Sequence, residues 1–200
     1  IWKQLDLKLL QTFKHPSGIQ LRIAATCIDS GHHTKQVYEF CKPRFARRVF
    51  AIKGIAGEGR PIIGRPTKNN IAKIPLFPVG VDSAKELIYS RLKIKEDGAG
   101  YCHFPKKYQA EYFMQLTAEK IVTKYFKGFP RREWVKIRPR NEALDCRAYS
   151  IASFAVLNTD VNKLADRLEL QIEKEQKVDI DKKNQYEIRN KPTNFVNSWE

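Results

Sequence analysis

The segment Ala25-Thr-Cys-Ile-Asp-Ser-Gly31 decides the fold of this 200-residue chain. It closes residues 19–28, an apolar run rich in β-branched side chains that predicts a strand ending at Asp29. Apolar residues at helical spacing follow in residues 34–45, and residues 48–53 form a second short apolar strand. Because the connections are short, this strand–helix–strand order predicts a parallel pair within an α/β sheet.

The other periodic segments extend this pattern. Apolar spacing predicts helices over residues 2–13, 83–92, 106–127 and 141–157, and a further strand over residues 76–81. The turn at residues 15–18 would end the helix over residues 2–13, and Asp82 would cap the helix over residues 83–92. Gly128-Phe-Pro130 would break the helix over residues 106–127. Residues 55–73, rich in Gly, Pro, Arg and Lys, are interpreted as a mobile basic loop, and residues 131–140 as a basic connector.

The charge divides the chain near residue 157. The 37 Lys and Arg residues outnumber the 22 Asp and Glu residues, for a formal net charge of +15. Residues 158–200 hold 8 basic and 9 acidic residues, so the excess of cations lies in residues 1–157. We therefore expect one basic domain over residues 1–157, and over residues 158–200 a charged tail that is a solvated helix or largely disordered.

A basic domain of this kind attracts nucleic acid or an anionic membrane surface. Membrane is the weaker choice, because no apolar run approaches the roughly 20 residues that a bilayer span needs. The four cysteines are scattered without a CxxC pair, which disfavours zinc and favours isolated thiols in an intracellular protein. The start of the sequence lacks a signal-peptide pattern, so export is not expected.

Three acidic residues are the candidate catalytic groups. Asp29 follows a predicted strand, where open α/β sheets place their ligands, although a turn aspartate explains it equally well. Glu142 and Asp145 share a face at the start of a predicted helix, where acids also simply favour the helix dipole. Carboxylates suit Mg²⁺ or Mn²⁺, and two such ions roughly 3.5–4 Å apart promote phosphodiester hydrolysis. Asp29 and Asp145 would be metal ligands, with Glu142 as an outer acid or water activator.

Eight cations flank these acids in sequence and are candidate phosphate contacts: Lys53, Arg60, Arg65, Lys68, Arg131, Arg132, Arg138 and Arg140. Each alone is better explained as a solvated surface charge, but together they indicate a groove that follows a DNA backbone. His32 and His33 are more simply a solvated loop pair, although a histidine near a scissile phosphate could transfer protons. Trp134 and Tyr101 are expected in the core, with stacking on bases as the alternative.

Six blocks of sequence occur in an order known from one protein family. They are Ala25-Thr-Cys-Ile-Asp-Ser-Gly-His-His-Thr34, Val49-Phe-Ala-Ile-Lys-Gly54, Val79-Gly-Val-Asp-Ser-Ala-Lys85, His103-Phe-Pro105, Tyr112-Phe-Met-Gln-Leu-Thr-Ala-Glu119 and Arg140-Asn-Glu-Ala-Leu-Asp-Cys146. This order resembles that of the lambda-type large terminase subunit of tailed bacteriophages. The resemblance covers about residues 2–157, and its specificity comes from the six ordered blocks rather than from any one of them.

The resemblance implies a carboxyl-terminal nuclease with a ribonuclease H-like mixed sheet flanked by helices. Such a nuclease cuts concatemeric double-stranded DNA in the cytoplasm of a bacterial host, with phage or prophage as the source. The implied partners are the terminase ATPase domain, the small subunit and the portal protein. Asp29 matches the acid after a central strand, and Asp145 the acid on the final helix. ATP hydrolysis is not carried over, because the chain has no GxxxxGKS or GxxxxGKT phosphate loop.

One departure from the family pattern concerns the number of metal ligands. In such nucleases the first catalytic aspartate lies on the opening strand of the sheet, whereas here a predicted helix precedes the strand that ends at Asp29. We expect this chain to lack one ligand and up to three strands, which would limit its activity. The rival hypothesis is a non-catalytic DNA-binding module of the packaging complex, in which the acids only cap helices.

Overall fold

The computed structural model describes residues 1–68 and 73–189. The chain forms two compact units. The first combines Ile1–Leu9 with Ala24–Asn158, and the second combines Leu10–Ile23 with the residues from Thr159 onward. The first unit holds all the predicted catalytic and DNA-binding residues, and it is therefore the unit that positions the candidate site.

The elements are as follows. The helices are α1 (Trp2–Leu9), α2 (Thr34–Cys41), α3 (Val81–Leu92), α4 (Ala110–Leu116), α5 (Glu142–Leu157) and α6 (Val161–Arg189), and a 3-10 helix, Lys42–Arg47, continues α2. The strands are β1 (Thr12–Lys14), β2 (Gln20–Arg22), β3 (Thr26–Asp29), β4 (Val49–Ile55), β5 (Thr67–Lys68), β6 (Pro75–Gly80), β7 (Glu119–Phe126) and β8 (Phe129–Lys136).

A four-stranded sheet in the order β3-β4-β6-β5 forms the centre of the first unit. Strands β3, β4 and β6 are parallel, and β5 is an antiparallel edge strand. Asp29 pairs with Ile52, and Ile55 pairs with Gly80, so the carboxyl ends of the three parallel strands lie along one edge. The predicted parallel pair is confirmed, as is an α/β fold with a mixed sheet.

Helices cover both faces of this sheet. Val49 and Ala51 of β4 belong to a core cluster with α1 and α2, whereas Ile52 packs in a second cluster with Ala152 of α5. Successive residues of a strand point to opposite faces, so β4 contributes to both cores, and its first four residues are all buried. A third cluster joins α3, α4 and α5. The carboxyl edge of the sheet is thereby held in a fixed position relative to α5.

The amino-terminal helix is shorter than predicted. Phe13 belongs to β1, which forms an antiparallel hairpin with β2. Residues 15–18 close this hairpin instead of ending a helix: the Gly18 N–H donates to the His15 carbonyl (2.9 Å), and Gly18 has φ 98°. The strand predicted over residues 19–28 is accordingly two strands, β2 and β3, which belong to different units.

The helix predicted over residues 106–127 is wrong. Only Ala110–Leu116 is helical, and the later part of the segment forms β7, which pairs with β8 along its whole length. Residues 120–126 contain β-branched and aromatic side chains that favour a strand, and cross-strand pairing overrides their weak helical spacing. Gly128 lies in the turn between the strands, and most of the predicted basic connector is strand β8.

Residues 55–68 are attached to the sheet, in contrast to the mobile loop predicted there. The Gly64 N–H donates to the Pro78 carbonyl of β6 (2.8 Å), and β5 adds an edge strand to β6. Residues 69–72 of the predicted loop lie outside the described residues. The basic side chains of residues 55–68 are therefore presented from a fixed backbone.

Asp82 does not cap α3 as predicted. The helix begins at Val81 with Gly80 as its N-cap, so Asp82 lies in the first turn. Its carboxylate accepts a hydrogen bond from the Gly57 N–H (2.8 Å). Asp82 therefore connects residues 55–68 to α3.

The carboxyl-terminal region begins with a 29-residue helix, α6. It corresponds to the solvated-helix alternative for this region, and residues 190–200 lie outside the described residues. Across residues 1–68 and 73–189, no helix is both long enough and apolar enough to span a bilayer. All four cysteines are free thiols, as expected from their scattered positions.

Candidate active site

Asp29 ends β3 at the carboxyl edge of the sheet. The adjacent Ser30 is buried, and its N–H and hydroxyl both donate to the Ile52 carbonyl of β4 (2.9 and 2.8 Å). One Asp29 carboxylate oxygen accepts from the Gly31 N–H (3.0 Å), and the other accepts from the Tyr149 hydroxyl of α5 (3.2 Å). The turn interaction considered for Asp29 is therefore present, and a second interaction connects the exposed carboxylate to α5.

Asp145 occupies the first turn of α5, one turn before Tyr149. Burial raises the pKa of the Asp145 carboxyl, and nearby Lys85 opposes that rise. The negative charges of Glu119 and Asp29 raise the pKa further. The fold thus brings Asp29 and Asp145, which are distant in sequence, within electrostatic range of each other.

Tyr149 interacts with both acids. Burial raises the pKa of its hydroxyl well above the ordinary range, and the charges of Asp29 and Asp145 raise it further. The phenol is therefore neutral and able to donate its proton. Gly54 of β4 leaves room for it, because a Cβ there would lie 3.0 Å from Val81 Cγ1 and 3.4 Å from Tyr149 Oη. A residue without a side chain at position 54 lets α5 approach the strand ends closely.

A buried network supports Asp145; it consists of Lys85, Glu119 and Asn141. Lys85 Nζ of α3 donates to Glu119 Oε2 of β7 (2.7 Å), and the two side chains are only 10% and 4% exposed. Asn141 Nδ2 donates to Glu119 Oε1 (2.7 Å) and to Asp145 Oδ2 (3.1 Å). Because one amide NH₂ group has two hydrogens, Asn141 satisfies both carboxylates at once. The buried network therefore fixes the orientation of Asp145.

The residues of the buried network were not among the predicted site residues. Lys85 lies beside buried Ala84 on the apolar face of α3, and Glu119 is the first residue of a strand that was predicted as helix. A charged residue within an apolar stripe indicates a buried partner, because an unpaired charge there is costly. That signal was available for Lys85, whereas the identity of its partner depends on contacts between distant segments.

Glu142 lies on the solvent side of α5. A hydrogen bond from its own backbone N–H lowers the pKa of its carboxyl, and the charge of Arg140 lowers it further. Arg140 Nε donates to the Glu142 carboxylate (3.3 Å), and the Glu142 side chain is 60% exposed. The contacts of Glu142 therefore differ from those of Asp145, with which it was predicted to share a face.

The eight predicted DNA-contacting cations fall into two groups. Arg132 and Arg140 each pair with two glutamates, and Arg138 donates to the Met114 carbonyl at the end of α4 (3.0 Å). Arg60 is also engaged, because its Nε donates to the Ala56 carbonyl (2.9 Å), and Arg131 lies over the Phe126 ring. The second group consists of the exposed Lys53, Arg65 and Lys68, which have the greater freedom to contact a phosphate.

The two predicted histidines follow the simpler expectation, whereas Trp134 and Tyr101 are half-buried and do not belong to the buried core. His32 and His33 are exposed and pack edge to face, with ring centroids 4.2 Å apart. Trp134 is half-buried against Tyr89, with centroids 5.0 Å apart. Tyr101 is also half-buried. None of these contacts requires a ligand.

Asp29 and Asp145 offer the hard oxygen donors that Mg²⁺ and Mn²⁺ prefer. The two carboxylates have the right chemistry for such an ion, but two protein ligands are too few to complete its coordination. Among residues 1–68 and 73–189, no group of three or more His, Cys, Asp or Glu side chains is arranged to hold a metal. A divalent ion at this place would need further ligands, from water, DNA or other protein residues.

Comparison with known proteins places this chain in a family. Residues 1–167 match the family model of the terminase large subunit gpA endonuclease domain. The chain is 33% identical over 161 residues to the large terminase subunit of Escherichia phage lambda, and 32% identical over 162 residues to that of Enterobacteria phage P21. Each alignment covers 76% of this chain and 25% of the relative, so the chain spans about a quarter of their length. No solved structure gives a significant match.

The family model covers most of the chain and includes all six sequence blocks. The resemblance inferred from those blocks is therefore confirmed, and the chain belongs to the family of terminase large subunit gpA endonuclease domains.

Proposed function

We propose that this chain is the endonuclease part of a phage or prophage DNA-packaging terminase that cuts concatemeric double-stranded DNA with the help of Mg²⁺ or Mn²⁺. The observation that carries the proposal is the hydrogen bond from Tyr149 to Asp29 (3.2 Å), which brings the turn of α5 that carries Asp145 to the carboxyl edge of a mostly parallel sheet, where α/β folds place their active sites. The family, named for an endonuclease domain, supports the same activity.

Each residue has a separate part in this proposal. Asp29 and Asp145 bind the metal, Tyr149 orients Asp29 by hydrogen bonding, and Asn141 orients Asp145. When bound, a pair of divalent ions activates water and stabilises the attacking and leaving oxygens of the phosphodiester. Glu142, which is exposed and accepts a hydrogen bond from Arg140, is the candidate outer acid or water activator.

A complete metal site in this proposal includes a ligand from outside the described residues. Two carboxylates hold one ion weakly, and a two-ion site needs at least one more anionic anchor. The large terminase subunits of phages lambda and P21 are about four times as long as the matched segment, so such proteins have residues that could supply it. A ribonuclease H-like sheet, extended by further strands beside the four described ones, is the fold we propose for the complete site.

The proposed function also implies a domain organisation for the chain and a set of assembly partners. The nuclease domain is proposed over residues 1–157, of which Leu10–Ile23 belongs to the second compact unit, and residues 158–200 are proposed as a charged appendage. The exposed cations Lys53, Arg65 and Lys68 provide phosphate contacts along double-stranded DNA. The terminase ATPase domain, the small subunit and the portal protein are the proposed assembly partners, and the bacterial host cytoplasm is the proposed place of action.

A non-catalytic DNA-binding module is the second candidate. It is favoured by the Gly31 N–H contact, which gives Asp29 a role in the turn, and by the lack of a three-ligand metal cluster in the described residues. In that case the acids have structural roles only. DNA affinity would then depend on salt but be indifferent to Mn²⁺.

Calorimetric titration of the full chain with Mn²⁺ separates the two candidates. Asp29→Asn and Asp145→Asn each keep the side-chain shape and remove a ligand charge, so each should weaken Mn²⁺ binding by about tenfold or more. Asp97→Asn is the matched control, because Asp97 is an exposed acid paired with His103 (3.2 Å). Binding that is equal in all three variants and the parent would exclude the metal site and leave the binding module.

A further inference from the structure

The β7–β8 hairpin is a separate two-stranded sheet in the first unit. Each strand has eight residues, and every residue of β7 pairs with one of β8, from Glu119 with Lys136 to Phe126 with Phe129. The turn residues Lys127 and Gly128 both have positive φ (49° and 83°), as in the two-residue turns that join tightly twisted strands. The hairpin is thus regular to its tip.

One face of the hairpin is attached to the rest of the unit. Side chains alternate between faces along a strand, so Glu119, Trp134 and Arg132 share a face. Trp134 packs on Tyr89 of α3, and Arg132 pairs with Glu86 of α3 (3.1 Å). This face, together with the buried Glu119, holds the base of the hairpin beside the candidate active site.

The opposite face combines cations with aromatic side chains. It consists of Lys120, Val122, Lys124, Phe126, Phe129, Arg131, Glu133 and Val135. Glu133 pairs with Lys124 (2.7 Å), so the negative charge on this face is already matched by a cation. The Arg131 guanidinium lies 4.9 Å from the Phe126 ring centroid. The face is therefore basic, and its aromatic rings lie at the tip.

The tip exposes three aromatic rings, which we call the aromatic tip. Tyr125 is 76% exposed, Phe126 54% and Phe129 74%. A cluster of exposed aromatic side chains indicates a surface that a binding partner covers. The Lys127 ammonium, 5.6 Å from the Phe126 centroid, adds a cation at the same place.

We propose that the aromatic tip inserts into the base stack of duplex DNA bound at the candidate active site, in the manner of proteins that wedge apolar side chains between base steps. This inference rests on the proposed function for its substrate. Phe126 and Phe129 stack on or between bases, while Lys127 and Arg131 contact the flanking phosphates.

The charge pattern identifies DNA as the partner. Protein interfaces are depleted of lysine at their centre, whereas here two cations, Lys127 and Arg131, lie beside the exposed Phe126 ring. A base has an apolar face surrounded by phosphates, which complements an apolar ring surrounded by cations. A second copy of this chain would instead place like charges against each other.

The length of strand β7 also sets the distance between the aromatic tip and the scissile phosphate. Glu119, at the base of β7, bonds to Asn141, which bonds to Asp145. The seven steps from Glu119 to Phe126 span about 23 Å at the rise of an antiparallel strand. For DNA lying along the hairpin, with about 3.4 Å per base pair, the tip meets the stack roughly seven base pairs from the scissile phosphate.

DNA binding by the full chain in EDTA tests the wedge without cleavage. Phe126→Ala with Phe129→Ala should weaken the affinity for a short duplex by about fivefold or more, with an unchanged salt slope because no charge is removed. A 2-aminopurine probe placed along the duplex should brighten on binding to the parent chain, and this signal should disappear in the double variant. Phe154→Ala, which changes an exposed phenylalanine of α5, is the matched control.

Three results would overturn the wedge. They are an unchanged affinity and probe signal, a reduced salt slope, which would indicate a charge effect, and a loss of dimers with DNA affinity intact, which would assign the tip to a second copy. If the double alanine variant does not fold, Phe126→Ala and Phe129→Ala made singly each remove one ring, and each should reduce the probe signal. Mn²⁺ binding that is unchanged by Asp29→Asn and Asp145→Asn, with the probe signal present, would reject the nuclease and retain the wedge.

Discussion

Asn141 connects a buried ion pair to the candidate active site. Its amide donates to Glu119, which also accepts from Lys85, and to Asp145, which is one of the two candidate metal ligands. Glu119 is 4% exposed and is therefore a poor candidate for direct contact with solvent or DNA. Its role is better explained as positioning: the charge of Lys85 keeps Glu119 in place, and Glu119 keeps the amide of Asn141 turned toward Asp145.

Removing the positive charge of Lys85 should lower the free energy of unfolding. Lys85→Met leaves the Glu119 carboxylate buried without its positive partner, and we expect a loss of about 3–5 kcal/mol in the free energy of unfolding. Urea denaturation followed by circular dichroism measures it. The matched control is Lys85→Met with Glu119→Leu, which removes both charges and should recover much of the loss. A single variant as stable as the parent would show that the pair is dispensable.

At the scale of elements, one carboxylate of α1 forms three hydrogen bonds with the 3-10 helix that follows α2. Asp6 accepts two hydrogen bonds from Arg44 (2.9 and 2.8 Å) and one from Arg47 (2.8 Å), both in the 3-10 helix after α2. Trp2 of α1 also packs on Phe40 of α2, with centroids 5.0 Å apart. The bidentate hydrogen bonds from Arg44 lower the pKa of Asp6 well below its ordinary range.

The stabilising effect of Asp6 should depend on pH. The folded-state pKa lies below the unfolded value of about 3.9, so the interaction stabilises fully above that value and is lost as the pH falls toward the folded-state pKa. Asp6→Asn should therefore lower the Tm at pH 7, and the difference from the parent should shrink below about pH 4. Thermal unfolding of both proteins across this range measures it.

Glu39→Gln is the control for the Asp6 experiment, since it removes one negative charge from the exposed side of α2. Its Tm difference from the parent should be small at every pH. A difference for Asp6→Asn that stayed constant, or grew in acid, would contradict the assignment of the low pKa to Arg44 and Arg47.

The sheet was predictable from sequence, and the hairpin was not. Strands β3, β4 and β6 are short apolar runs, and burial on both faces makes such runs visible without knowledge of their partners. Strand β7 is largely exposed and carries polar residues, so local spacing did not distinguish it from a helix. Its conformation is decided by pairing with β8, across a turn that was interpreted as a helix break.

The residues of the candidate site also divide into those that local sequence patterns identify and those that only tertiary contacts bring together. Asp29 follows an apolar strand and Asp145 starts an apolar helix, so local patterns identified both as candidates. Glu119 and Lys85 are 34 positions apart and come together only through packing of β7 against α3. The hydrogen bond from Tyr149 to Asp29 spans 120 positions. Sequence patterns report local periodicity, and these contacts depend on the tertiary arrangement.

At the scale of the whole molecule, the cation excess should produce salt-dependent DNA binding. Arg60 and Arg65 lie in the segment that is attached to β6, and both are exposed. Arg60→Ala with Arg65→Ala should weaken DNA binding with little dependence on sequence. It should also reduce the slope of log K against log salt by about 0.9 for each phosphate that the variant no longer neutralises. Fluorescence anisotropy at several salt concentrations measures both quantities.

Lys174→Ala with Lys177→Ala is the charge-matched control, because it removes two exposed cations from α6. If a local phosphate path is correct, this variant should keep the parent slope. An equal fall in slope for both double variants would mean that net charge alone governs the affinity, and an unchanged slope for Arg60 and Arg65 would place the DNA path elsewhere.

The number of metal ligands in this chain should limit its nuclease activity. Asp29 and Asp145 can hold one ion weakly, whereas a clamp on both the attacking and leaving oxygens of the phosphodiester needs a third anchor. We therefore expect this chain to cut plasmid DNA poorly in Mn²⁺. A longer chain, extended toward its amino terminus to add an acidic strand beside β3, should cut it well, and Asp29→Asn or Asp145→Asn in that longer chain should abolish cutting. Robust cutting by the present chain would show that its own acids suffice, whereas an inert longer chain with intact DNA affinity would favour the binding module.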